Sequence, residues 1–171
     1  MSRVTVRQAF ASFLTPQTVP GLATVQPWPS KVTNEGEFDL AGVGAGFGAI
    51  VFVHLPSQRE QRIALGGPNS GLKWREYQAV LLCVFRGNDP ESQVVAQACD
   101  GFLDALVARL EYDRRLGTQT LGPAGIFQAG EGGVSGGDDI EVVTALPRTV
   151  RSGLTQIFAT VTLQVAEVLQ T

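Results

Sequence analysis

Few side chains in this chain can do chemistry, and their spacing decides what each can offer. Among 171 residues there is one histidine, His54, and there are two cysteines, Cys83 and Cys99. His54 lies inside the apolar run Ala49-Ile50-Val51-Phe52-Val53-His54-Leu55, with no Asp or Ser placed to serve it. It reads as a core or interface residue rather than a general base. Cys83 falls in a second apolar run and Cys99 on the apolar face of a long helix, so both read as small core residues of a reducing compartment rather than as a disulfide. Two acidic groups, Glu35 with Glu37 and Asp39, and Asp138 with Asp139 and Glu141, lack the ligand spacing of a calcium loop and read as solvated turns. Gly44-Ala45-Gly46-Phe47-Gly48-Ala49 has the outline of a dinucleotide fingerprint, but no strand precedes it and a strand rather than a helix follows. With no P-loop, nucleophile elbow or Cys/His metal spacing, the expectation is a non-enzyme with no cofactor and no metal.

What remains is contact surface. Arg59, Arg62, Trp74, Arg75 and Tyr77 gather in the middle of the chain as aromatic and guanidinium side chains of the kind enriched at protein interfaces. The alternating glycines Gly42, Gly44, Gly46 and Gly48 are expected to form a loop that stays mobile until a partner orders it. The net charge is −3 and charged residues make up 17%, with Lys31 and Lys73 the only lysines. That charge offers no excess of cations for duplex nucleic acid, and its sparsity points to surfaces covered by other subunits. No apolar run is long enough to span a membrane or to serve as a signal peptide, so the expected setting is a cytoplasm.

The elements that must position these residues follow from periodicity. Residues 89–117 carry the clearest helix signal, with Val94, Val95, Ala98, Cys99, Phe102, Leu103, Leu106, Val107 and Leu110 on one side. Asp89 and Pro90 suit its start, Arg114, Arg115 and Gly117 suit its end, and Gly101 within it predicts a close approach to a strand. Residues 5–14 predict a short amphipathic helix with Thr5 as N-cap, and residues 22–26 a short strand bounded by prolines. Residues 31–48 read as a loop. Residues 49–55 read as a strand covered on both faces, and residues 49–86 as one long hairpin whose second strand leaves an exposed edge and enters the core. Ile126 and Phe127 form a small apolar nucleus, residues 140–146 alternate as a strand, and residues 155–169 make a long half-buried strand. The expected class is α+β in a single domain over residues 1–171: an antiparallel-rich sheet with a long helix and a short N-terminal helix packed on it.

This order of elements, N-terminal helix, long hairpin, long helix and closing strands, resembles that of the tail terminator, or tail completion, proteins of long non-contractile-tailed bacteriophages. The resemblance covers most of the chain and rests on no residue motif; the glycine-rich segments at 42–48 and 118–137 are not part of it. It implies a virion protein of the tail and neck, made in the host cytoplasm. Such a subunit forms a homohexamer ring that caps the tail tube, ends its polymerisation and joins the tail to the head-side connector. The implied partners are further copies of the chain, the tail tube protein and the head-to-tail connector protein, with DNA only passing through the lumen, no sequence-specific binding and no membrane. Two alternatives stand beside it: another neck or tube ring subunit of the same kind of particle, and a small-ligand-binding domain or enzyme around His54.

Overall fold

A computed structural model describes residues 3–28, 48–62, 72–87, 92–113, 116, 126–128, 140–149 and 154–170. The fold is α+β. Helix α1 (Arg3–Phe13) leads into β1 (Leu22–Gln26), β2 (Gly48–Arg62) and β3 (Leu72–Gly87). Helix α2 (Ser92–Tyr112) follows, and then β4 (Ile126–Gln128), β5 (Glu141–Thr144), β6 (Arg148–Thr149) and β7 (Thr155–Gln170). The sheet runs β1-β2-β3-β7, and the outer side of β7 is shared by β6, β5 and β4 in turn. Every pairing is antiparallel except that of β1 with β2, which is parallel.

One face of the sheet carries the main core. The alternate residues Ala49, Val51, Val53 and Leu55 of β2, Tyr77 to Phe85 of β3 and Ile157 to Val165 of β7 meet Val6, Phe10 and Phe13 of α1 and Val95, Cys99, Phe102, Leu106 and Leu110 of α2. Phe85 and Phe102 bring their rings to 6.0 Å across the sheet–helix boundary. Each large side chain buried here is worth about 1.5–3 kcal/mol. The intervening residues Ile50, Phe52 and Val84 form a second, smaller cluster on the other face, with Leu82 and Phe158 against it. The β2 run is thus covered on both faces, as its unbroken apolar character predicts.

Several expectations need correction. Helix α1 begins at Arg3, which puts Thr5 inside the helix rather than at its cap. Val94 is 46% exposed and Ala98 is exposed as well, so the stripe of α2 is narrower than its apolar count suggests. Gly101 is exposed, and a Cβ there would meet nothing within 4 Å. The close approach belongs instead to Gly87, where a Cβ would stand 2.6 Å from Val95 Cγ2 as β3 hands over to α2. Near the end of α2 the left-handed residue is Leu116 (φ 49°), whose burial offsets a conformational cost of about 1–2 kcal/mol. The expected caps at Asp89, Pro90, Arg114, Arg115 and Gly117 lie outside the described residues.

The hairpin differs from expectation in a way that matters for function. Strand β2 does not end at Pro56 but runs on to Arg62, with a register irregularity between His54 and Ser57 that accommodates a residue with no N–H to give. Strand β3 is nowhere an edge: Leu72 to Gly87 pairs with β7 along its whole length while β2 flanks its other side. The exposed edge of the hairpin is therefore on β2.

Candidate functional site

Among the residues whose side chains are described, the main core reaches Leu55, Tyr77 and Val165, and β2, β3 and β7 continue past it as a three-stranded ribbon. That ribbon carries a polar ladder. The register sets Glu60 opposite Arg75, and Arg75 opposite Glu167, so three strands present one charge each in a row. Arg75 closes the row in both directions: its Nε and Nη2 donate to Glu60 Oε2 at 3.1 and 2.7 Å, and its Nη1 donates to Glu167 Oε1 at 3.1 Å. Lys73 Nζ stands 3.4 Å from Glu60 Oε1 at the outer end. At the inner end Tyr77 Oη donates to Glu167 Oε1 at 2.6 Å. A planar guanidinium suits this bridging position because its donors diverge in a fixed fork.

The electrostatics follow from that geometry. The hydrogen bonds from Arg75, and then from Lys73, hold the Glu60 carboxyl below its ordinary range. The bonds to Glu60 raise Arg75 in turn. Tyr77 is pushed up to about 12, first by burial and then by the bond to Glu167. Glu167 is fully buried, and its Oε2 has no hydrogen-bond partner.

The residues expected at a contact surface are distributed unevenly. Arg59 is exposed, opposite Glu76 in the register, and Arg62 stands opposite Lys73. Trp74 is half-buried, its Nε1 donating to Glu76 Oε1 at 2.8 Å, and Arg75 is half-buried in the ladder. Tyr77 is a correction: it is 0% exposed and belongs to the core, because its phase matches Ala79 and Leu81 rather than Trp74. Gly48 is a second correction. It starts β2 at φ 132°, buried, where a Cβ would come within 2.9 Å of the Gly21 carbonyl, so it serves strand packing rather than a contact loop. Gly42, Gly44 and Gly46 lie outside the described residues, as do Glu35, Glu37, Asp39, Asp138 and Asp139.

Glu60 and Glu167 escaped the sequence reading. The signal for Glu167 was its phase, since it shares the inward positions of β7 with Val161, Leu163 and Val165, and an acid in that phase calls for a buried partner. His54 is half-buried opposite Val80, on the face away from the helices. Cys83 and Cys99 are free and buried; burial raises both thiols, Cys99 to about 11. Among the described residues no group of His, Cys, Asp and Glu is arranged to hold a metal ion, and no helix is long and apolar enough to cross a membrane.

A further polar device guards the other part of the β2 edge. Strand β1 covers residues 49–52 only. Just beyond it, Arg7 of α1 donates to the carbonyls of Val53 and Pro27, and Arg3 donates to that of Leu55. Burial, and then the neighbouring Arg3, lower Arg7. No protein-family model matches this chain, and no curated protein sequence does.

Proposed function

We propose that the chain is a structural ring subunit of a bacteriophage tail, capping the tail tube, ending its polymerisation and offering a surface to the head-side connector. The observation that carries this reading is the ribbon. Three strands run on past the described core, braced by Glu60, Arg75 and Glu167, with the outer side of β2 open among the described residues. Such an extension presents an unpaired strand edge that another subunit can use. The order of elements supports the same reading, as do the sparse charge and the near-absence of lysine. The role is structural rather than catalytic: the charged groups of the ribbon hold strands to one another. DNA passes through the lumen without sequence-specific contact, and the ring is a hexamer meeting the tube protein on one side and the connector on the other.

The interface uses Arg59, Arg62, Trp74 and Arg75. Changing Trp74→Ala together with Arg62→Glu should give folded monomers by light scattering and tails of uncontrolled length in particles, because one hot-spot truncation typically costs about 2 kcal/mol, roughly 30-fold per contact. A double variant that still runs at the wild-type assembled mass places the interface elsewhere. Adding the purified chain to polymerising tube protein should stop growth. An open polymer of the chain itself would favour a tube subunit instead.

A further inference from the structure

We infer that the free edge of β2, residues 57–62, receives β5 of a second copy of this chain as an added antiparallel strand; this rests on the ring reading and names the two patches that meet. The outer side of β2 is closed by stages. Strand β1 covers residues 49–52, the Arg7 and Arg3 guanidinium groups take the carbonyls of Val53 and Leu55, and Pro56 has no N–H to offer. Past that point residues 57–61 are exposed and, among the described residues, no strand lies on their outer side. Among the described residues, the part of this edge beside α1 is closed and the distal part is open.

The opposite side of the sheet supplies the complement. Among the described residues β5 pairs with β7 alone, and every residue from 141 to 149 is exposed, including Val142 at 40%, Val143 at 54% and Leu146 at 86%. Valines on an edge strand with neither face covered are a template for another strand. Direction and charge identify that strand. Because β2 runs against β3, β3 against β7, and β5 against β7, strands β2 and β5 point in opposite directions. A copy set alongside without being turned over therefore pairs antiparallel and keeps each face of the sheet continuous. Arg59 aligns through Glu76 with Ala166, and Glu141 with Thr162, both even positions of β7, so the two opposite charges share one face. Setting Arg59 against Glu141 brings Gln58 to Val142 and Ser57 to Val143, which covers both valines. Two different edges meeting in this way form a head-to-tail contact, the kind that closes a ring.

The test is a charge swap on the full chain, read by native mass and by sedimentation across a concentration series. Both positions are exposed, so circular dichroism should be unchanged in every variant. Arg59→Glu alone and Glu141→Arg alone should each raise the concentration for half-assembly about tenfold or more. The chain carrying both changes should return to within about threefold of wild type, the non-additivity expected of groups in contact. If the wild-type chain stays monomeric throughout, the ring reading and this contact fall together. If it assembles but the single variants match it, or the double variant recovers nothing, the ring reading stands and the β2–β5 assignment is overturned.

Discussion

Removing the Glu167 carboxylate tests whether the ladder braces the ribbon. It is fully buried, and one of its oxygens accepts from both Tyr77 and Arg75 while the other has no partner. Glu167→Gln keeps an oxygen for Tyr77 but replaces charge-assisted bonds by neutral ones, a loss of about 1 kcal/mol. Glu167→Ala removes the acceptor of the Tyr77 hydroxyl and one of the two carboxylates that Arg75 bridges. Breaking a buried pair from one side costs about 3–5 kcal/mol, and the already unpartnered Oε2 puts this case near the lower end, about 3 kcal/mol. Tyr77→Phe by itself should cost about 1–2 kcal/mol. The informative variant combines Glu167→Ala with Tyr77→Phe: once the acceptor is gone the hydroxyl is a liability, so deleting it should recover about 1 kcal/mol relative to Glu167→Ala. Urea unfolding followed by far-ultraviolet circular dichroism measures all four chains. If the double variant is less stable than Glu167→Ala by the full cost of Tyr77→Phe, the two groups act independently and the bracing is wrong.

Three further outcomes follow from the same geometry. Because the folded chain raises Tyr77 from 10 to about 12, stability should be intact below pH about 10 and fall as pH rises to about 12, a loss that Tyr77→Phe removes from alkaline unfolding curves. Gly101→Ala should stabilise by about 1 kcal/mol, near 3 °C in Tm, since the site is helical, exposed and open, whereas Gly87→Ala should destabilise by forcing Val95 away; differential scanning calorimetry separates the two. Arg7→Ala should cost about 1–2 kcal/mol in urea unfolding by leaving the Val53 carbonyl without its donor, and Arg7→Lys should recover only part of that.

The regular elements were legible because each rests on a strong local pattern. The unbroken β-branched run gave β2, the two-residue alternation gave β7, and the four-residue rows gave α2. Residues 22–26 were bounded by their prolines, and β1 occupies those positions. What misled were features whose meaning depends on neighbours distant in the chain. The apolar run marks only residues 49–55 as strand, whereas Pro56 sits in a bulge that the pairing with β3 tolerates and β2 runs on to Arg62. Tyr77 looked like surface because polar neighbours surround it in the chain, yet its phase on β3 and its bond to a carboxylate 90 residues away put it inside. Gly101 and Gly87 differ by nothing visible locally; only the approach of β3 to α2 tells them apart. The ladder was hardest to see, since Glu60, Arg75 and Glu167 come together only through two strand registers at once.

The central claim is that this chain closes on itself, and the native mass of the purified protein tests it most directly. A ring of six 18.2 kDa chains would appear as one discrete species near 109 kDa, unchanged as concentration rises. A monomer at every concentration, or a continuous series of masses growing without limit, would contradict it.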